Sequence, residues 1–269
     1  MRTCWAAALG DCSGALSKEH LVSRAVLELV APDNILTVGG FRWCEGKDCK
    51  ISVGTAVARV LCETHNSRLS PSDAEGLVLF QAIREISRLN GVRAGLNPTR
   101  WRIHRFEVGG VQFERWLLKT AINFIVSQGP TLSWHGASSG GVPLPLVEAS
   151  FSQGELGDPM GVYLAGSPSA LYQTVGGFGF RPLFSRGGAV IGALLEVPGL
   201  RFVLWLTTAS PPDDLAVLHG LDAAWRSATL YHHPQSIATT IDKYASTVLR
   251  FRGWAGEMLR VGYRSQLGG

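Results

Sequence analysis

The sequence predicts an α+β protein whose sheets are mostly antiparallel, and three observations support this prediction. Short apolar runs separated by Gly, Pro and Ser, such as GVYLAG and RFVLWLTTA, fill the chain from Gly129 onward, and this pattern is typical of antiparallel strands. Two apolar patterns with helical spacing precede them. All five cysteines occur at or before Cys62. We therefore expect an N-terminal unit over residues 1–73, a helical connector over 74–128 and an α+β accessory domain over 129–269.

The composition limits the classes of protein that fit. The chain is 46% hydrophobic and 17% charged, with a net charge of +4, which excludes a disordered chain and permits a polyanionic partner without requiring one. The most apolar stretch, residues 187–209, contains Glu196, Pro198 and Arg201, so it predicts two strands rather than a membrane span. The N-terminal apolar run is too short for a secretory signal, so the expected location is the cytoplasm. An odd number of cysteines there is typical of thiols or metal ligands rather than disulfides.

The N-terminal unit is predicted to contain mostly short elements. Residues 16–24 fit a strand or a hairpin arm, and residues 31–50, with Pro, Asn, paired Gly and a charge cluster, predict an inserted loop or hairpin. Residues 51–61 are β-branched enough for a strand that leads into Cys62. Residues 63–69 then predict one short helical turn, which Pro71 would end.

Longer helices follow in the connector. Ser70-Pro71-Ser72-Asp73 supplies an N-cap, a proline at the first helical position and an acid in the first turn. Apolar residues then recur on one face as far as Asn90-Gly91, which closes the helix. A second helix is expected over residues 113–127 and a last one over residues 236–250. Residues 101–106 interleave basic and aromatic side chains and fit an amphipathic strand better than a nucleic-acid clamp.

Cys62 and His65 form half of a zinc-binding knuckle. Two ligands at this spacing, where a turn enters a helix, can face one tetrahedral ion. The other half comes either from Cys4 and Cys12 or from Cys44 and Cys49. Spacing alone slightly favours the second pair, because its ligands are closer to the two-to-four-residue separation that is usual in zinc sites.

Glu19, His20 and Asn66 are the candidate catalytic residues. A histidine can act as a general base near neutral pH. The oxygens of a glutamate and an asparagine suit Mg²⁺, which prefers hard oxygen ligands. Arg24 and Arg68 follow these two segments and are weaker candidates for contacts with phosphate. The remaining histidines have no partners at metal-ligand spacing and are expected to be structural or surface residues: His104, His135 and the pair His232-His233.

The segments CSGALSKEHLVSR, residues 12–24, and VLCETHNSRLSPSD, residues 60–73, resemble the HNH, or ββα-metal, endonuclease family in its zinc-knuckle-bearing bacterial form. The resemblance implies that His20 is the general base and that Glu19 and Asn66 hold a catalytic Mg²⁺ or Mn²⁺. It also implies a structural Zn²⁺ at Cys62 and His65, and it favours Cys4 and Cys12 as the remaining ligands. It covers about a quarter of the chain.

The function that this resemblance implies is metal-dependent hydrolysis of phosphodiester bonds in DNA, loosely in the setting of bacterial phage defence or restriction. Residues 31–50 lengthen the family's hairpin, and the family's middle asparagine has no clear match. These departures motivate an alternative, a catalytically inactive zinc-stabilised protein that binds nucleic acid or regulates. A third reading takes the cysteines as ordinary core thiols. A homodimer is compatible with the sequence, and a membrane partner is not expected.

Overall fold

The computed structural model describes residues 3–38, 47–98, 101–128, 134, 141–166, 171–172, 178–212 and 228–263. It has a mixed α+β fold in which most strand pairs are antiparallel. The elements in chain order are β1 (Glu19–His20), α1 (Arg24–Val30), β2 (Ile35–Val38), β3 (Cys49–Ser52), β4 (Val57–Ala58), α2 (Glu63–Arg68), α3 (Ser70–Arg93), β5 (His104–Gly109), α4 (Gly110–Ser127), α5 (Leu144–Ser150), β6 (Gly161–Gly166), β7 (Leu171–Tyr172), β8 (Gly179–Phe184), β9 (Val190–Val197), β10 (Leu200–Trp205), β11 (Thr229–His232), β12 (Ser236–Ile241), β13 (Tyr244–Arg252) and β14 (Met258–Tyr263).

The N-terminal unit is built from two small strand pairs and two helices. β1 pairs with β4 in an antiparallel arrangement, and β2 pairs with β3 in another. The second pair confirms the predicted hairpin at its described ends. Residues 16–24 differ from the expected strand, because only Glu19 and His20 are extended and helix α1 begins at Arg24.

Two consecutive helices meet at Leu69, just before Pro71. α2 ends at Arg68, and α3 begins at Ser70 with the proline in its first turn. Proline fits there because the first backbone N–H groups of a helix have no partner within the helix. The predicted helix that begins at Ser70 is therefore confirmed, but Asn90-Gly91 does not close it, because α3 continues to Arg93. The second predicted helix is also present, and it begins three residues earlier than expected, at Gly110.

Two five-stranded sheets form the rest of the fold. The first has the order β11-β6-β10-β9-β8 and is antiparallel throughout. The second has the order β5-β13-β12-β14-β7, and only its β12-β13 pair is antiparallel. β5 fulfils the strand prediction for residues 101–106 in part, because extended structure begins at His104.

The prediction of a helix over residues 236–250 is wrong. This segment forms the hairpin of β12 and β13, in which Ile241 pairs with Tyr244 across a two-residue turn. Asp242 has φ 54° in this turn, a left-handed conformation that aspartate tolerates and that tight hairpins require. Ile237, Thr239 and Ile241 alternate into the core, as one face of a strand does.

Helix α4 lies at the centre of the hydrophobic core. Phe113, Trp116 and Leu117 are completely buried, and Phe113 contacts the rings of Phe202 and Phe251 from the two large sheets. The same core includes apolar side chains of the N-terminal unit, such as Ala56 before β4 and Val60 after it. Within the described ranges, no helix is both long enough and apolar enough to cross a membrane.

Candidate metal centre and the adjoining polar cluster

Four side chains from three parts of the N-terminal unit converge on one point. Cys4 precedes a short 3-10 helix, Cys12 lies in the following loop, Cys62 stands directly before α2, and His65 lies in the first turn of α2. Backbone contacts hold the segments together, because the Trp5 amide donates to the Val60 carbonyl at 3.0 Å. The ligand atoms of all four side chains lie within 4.8 Å of one another.

The distances in this group fit a tetrahedral zinc ion. The Nδ1 atom of His65 lies 3.4 Å from the sulfur of Cys4, 3.7 Å from that of Cys12 and 3.2 Å from that of Cys62. Zn–S bonds of about 2.3 Å and Zn–N bonds of about 2.1 Å at tetrahedral angles require a sulfur–nitrogen distance of about 3.6 Å. The group can therefore bind a metal such as zinc through three sulfurs and one nitrogen.

The pKa of Cys62 favours the thiolate that a metal needs, whereas burial raises the pKa values of Cys4 and Cys12. Burial raises the pKa of Cys4 to about 12. Burial opposes the thiolate of Cys62 as well, but hydrogen bonds from the backbones and side chains of His65 and Ser13 outweigh it and lower the pKa of Cys62 to about 6. Cys62 is therefore ready as a ligand, whereas Cys4 must release a proton when a cation binds, because zinc binds the thiolate.

The ring of His65 is fully buried, and its second nitrogen, Nε2, has no hydrogen-bond partner within the described part of the chain. The ring meets Phe151 edge-on at a centroid distance of 5.3 Å. This packing fixes the ring with Nδ1 toward the three sulfurs. The packing therefore leaves Nδ1 available to a metal, while Nε2 stays a buried polar atom without a partner among the described residues whether or not a metal binds Nδ1.

The alternative cysteine pair does not contribute to this group as far as the structure describes it. Cys49 lies in β3 and its thiol is 4.0 Å from the carbonyl oxygen of Lys47. Cys44 lies outside the described residues. Spacing in the sequence favoured Cys44 and Cys49, but the structure places Cys4 and Cys12 next to Cys62.

Glu19, His20 and Asn66 lie beside the metal centre. Glu19 and His20 form β1, opposite Ala58 and Val57 of β4, and Asn66 follows His65 in α2. The Asn66 side chain hydrogen-bonds the Glu19 carboxylate and favours its ionised form. The structure thus brings together the carboxylate and the carboxamide that the sequence singled out, and two such oxygen donors suit a hard divalent cation.

His20 follows Glu19 in β1 and is partly buried. Burial lowers the pKa of His20, and the positive charges of Arg24 and Lys119 add to this effect. The imidazole also hydrogen-bonds the backbone of Val53. Its Nε2 atom is shielded from solvent and has no hydrogen-bond partner within the described residues, which leaves Nδ1 for the Val53 bond. His20 is therefore held as a neutral imidazole with one unused nitrogen.

Lys119 is part of this cluster, although the sequence did not indicate it. Its ammonium comes from α4, is completely buried, and lies 2.5 Å from Oε1 of Glu19. It also donates to both oxygens of Asp73 at 2.8 Å. The sequence suggested Asp73 only as a helix-capping acid. The only sequence signal for Lys119 is a lysine within the apolar pattern of α4.

The cluster continues through Ser23 to Trp116. The Ser23 hydroxyl donates to Oδ1 of Asp73, and the Trp116 indole N–H donates to the Ser23 oxygen at 2.7 Å. Burial raises the pKa of Glu19, although Lys119 and Asn66 both favour its charged form. The carboxylates of this cluster are thus held by donors from α4, α2 and the start of α1.

The two candidate phosphate-binding arginines are exposed and partly engaged. Arg24 forms a salt bridge with Glu28 at 2.7 Å. The Arg68 guanidinium lies over the ring of Phe151 at 5.2 Å. Both side chains keep donors that could reach a ligand, because guanidinium carries five N–H groups.

The remaining histidines differ among themselves. His104 is exposed in β5, and His135 lies outside the described residues. His232 and His233 have structural hydrogen-bond partners, which fits the expectation of a structural role. His233 Nε2 lies 2.6 Å from Glu114, and His232 Nε2 lies 3.2 Å from the Met160 carbonyl oxygen. The two rings stack at 4.0 Å, so this pair joins β11 to the helix α4.

A comparison of the chain with models of known protein families, with curated proteins and with solved structures found no match.

Proposed function

We propose that the chain is a metal-dependent endonuclease of the HNH type that hydrolyses phosphodiester bonds in DNA. The observation that carries the proposal is the contact of the Glu19 carboxylate in β1 with the Asn66 side chain in α2. His20 follows Glu19 in β1, and Asn66 follows His65 of the Cys/His group that can hold zinc. The antiparallel pair of β1 and β4 followed by α2 is the order of elements that a ββα-metal unit requires, which supports the same proposal.

Each residue has a separate role in this proposal. Cys4, Cys12, Cys62 and His65 would hold a structural zinc that fixes the start of α2 and thereby the position of Asn66. Glu19 and Asn66 would hold Mg²⁺ or Mn²⁺, which supplies charge stabilisation to the phosphate and the leaving oxygen when it is bound. His20, as a neutral imidazole, would take a proton from the attacking water.

DNA as the partner is supported by charge on the second sheet. Arg105, Arg250 and Arg260 lie on its solvent-exposed face, as the registers of β5, β13, β12 and β14 show. Arg252 extends the same face, and Glu107 is the acid paired with it at 3.9 Å. A face with this excess of arginine can contact phosphates without reading sequence. Arg24 and Arg68 would contact phosphates nearer the scissile bond.

Two observations favour an alternative, a catalytically inactive nucleic-acid-binding or regulatory protein on the same scaffold. The ammonium of Lys119 already contacts the Glu19 carboxylate, and Nε2 of His20 is shielded from solvent. Catalysis therefore requires that DNA binding turn the His20 side chain or open its cover. Inactivity requires no such change.

The test is cleavage of supercoiled plasmid DNA by zinc-loaded full-length protein with Mg²⁺ or Mn²⁺. His20→Ala should abolish cutting, while His104→Ala, at an exposed histidine of β5, should cut as the wild type does. Cutting that survives in His20→Ala would refute the assigned base. DNA binding by the wild type without cutting, over several DNA forms, would establish the inactive alternative.

A further inference from the structure

Two buried charged side chains, Lys119 and Glu19, meet a partly exposed one, Asp73, beside the proposed catalytic residues. Lys119 is 0% exposed and Glu19 is 7% exposed. The Lys119 ammonium lies 2.5 Å from Glu19 and 2.8 Å from each oxygen of Asp73. The three residues come from α4, β1 and α3, so tertiary packing alone brings them together.

The charges in this cluster do not cancel. A buried lysine needs a counterion, and one carboxylate is enough to neutralise one ammonium. Lys119 has two, which leaves a net charge of −1 among Glu19, Asp73 and Lys119 when all are ionised. The donors that approach from other elements are neutral: the Asn66 amide at Glu19 and the Ser23 hydroxyl at Asp73.

A divalent cation would reverse the sign of the cluster. With the cation bound at Glu19 and Asn66, the net charge would become +1, which suits an anionic phosphodiester. Lys119 would oppose that cation by repulsion, and it would also hold Asp73 away from it, because both Asp73 oxygens already accept from the ammonium. A lysine at this position therefore weakens divalent binding.

We propose that Lys119 is an internal counter-cation that sets the affinity of the divalent site at Glu19 by repelling the metal and by withholding Asp73 from it. This inference rests on the proposed function only in taking Glu19 as a metal ligand. Lys119 is thus a positioning residue, since it acts through Glu19 and Asp73. Without it, the protein would keep the metal tightly when no DNA is present; with it, strong metal binding would depend on the added negative charge of the phosphate.

The test measures Mn²⁺ binding to zinc-loaded full-length protein without DNA, by electron paramagnetic resonance of free Mn²⁺. We expect Lys119→Met to lower the Kd for Mn²⁺ at least tenfold, about 1.4 kcal/mol, because the repulsion is gone and Asp73 is free. Lys119→Arg keeps the charge and should bind Mn²⁺ about as the wild type does. Adding Glu19→Gln to Lys119→Met should remove the tight binding. A folded Lys119→Met variant whose Kd is within twofold of the wild type would overturn the inference.

A second variant guards against failure of Lys119→Met to fold. Asp73→Asn keeps Lys119 and cancels the excess negative charge, so it should raise the Kd for Mn²⁺ about tenfold; an unchanged Kd would also overturn the inference. Circular dichroism and thermal unfolding would establish that each variant is folded.

Plasmid cleavage, measured separately, distinguishes this inference from the proposed function. A wild type that never cuts DNA, together with tight Mn²⁺ binding in Lys119→Met, would refute the nuclease and support the role of Lys119. Cutting by the wild type, together with an unchanged Mn²⁺ affinity in Lys119→Met, would support the nuclease and refute the role of Lys119. If neither the wild type nor Lys119→Met binds Mn²⁺ and the wild type does not cut DNA, both are refuted.

Discussion

Replacement of Gly76 by alanine should disturb the helix pair that carries Asp73 and Lys119. Gly76 is buried in α3 and faces Trp116 of α4. A Cβ atom at this position would lie 2.5 Å from Cε2 and from Nε1 of Trp116. Carbon atoms in contact normally lie about 3.5–4.0 Å apart. The indole ring or the helix must therefore move by about 1 Å.

The expected cost has three parts. Overpacking a dense core costs about 1–3 kcal/mol. Displacing the ring also breaks the 2.7 Å hydrogen bond from Trp116 to Ser23, and a buried donor left without a partner costs about 1–3 kcal/mol. Alanine returns about 0.5–1 kcal/mol, since glycine is the poorer helix former. We expect Gly76→Ala to lower the free energy of unfolding by about 2–4 kcal/mol.

Urea unfolding of zinc-loaded protein, followed by tryptophan fluorescence, measures this change. Gly91→Ala is the matched control because it lies in the same helix and its Cβ would meet only the Tyr263 hydroxyl, at 3.7 Å. Its stability should stay the same or rise by up to about 1 kcal/mol. Equal stabilities for the two variants would refute the assignment of Gly76 as a contact that no side chain fits.

Two further predictions concern the metal centre and acid stability. The purified chain should carry one zinc ion. Cys62→Ser should lose this ion and lower the Tm by roughly 10 °C, whereas Cys49→Ser should retain it. Equal zinc contents of the two variants in metal analysis would contradict the ligand set. Burial and the neighbouring His233 lower the pKa of His232 below 6.5, so the unfolded chain binds more protons and stability should fall as the pH drops below about 6.5 toward the folded-state pKa. His232→Gln should flatten this decline between pH 7 and pH 5.5, and parallel pH profiles of Tm for the two proteins would contradict it.

The fold was predictable from the sequence wherever local signals decide the structure. Helix α3 has its start marked by Ser70 and Pro71 and a continuous apolar face, and it forms as expected. Residues 236–250 misled because apolar residues there also recur at helical spacing, whereas the β-branched Thr239 and Thr240 and the turn at Asp242 favour strands. The hairpin forms because β5 and β14 flank it, and a short segment does not reveal its neighbours.

The candidate site was predictable in part for the same reason. Cys62 and His65 are one helical turn apart, so their proximity is local. Cys4 was chosen over Cys49 by resemblance rather than by spacing, since only tertiary structure brings it to His65. The local signal for Lys119, a lysine within an apolar helix, did not reveal its role. Its role depends on the packing of α4 against α3 and β1, and a lone lysine in an apolar helix looks the same in sequence whether it is buried or reaches solvent.

The packing of the N-terminal unit on α4 makes it unsuitable as a portable cassette. The indole of Trp5 donates to Asn123 at 2.9 Å, the Glu19 carboxylate pairs with the Lys119 ammonium, and the His65 ring packs against Phe151. A fragment cut after residue 73 would leave all three supports behind. A transfer of this unit into another protein would therefore have to include α4, α5 and the segment that contains Phe151. Engineering of the chain should treat these parts as one structural unit.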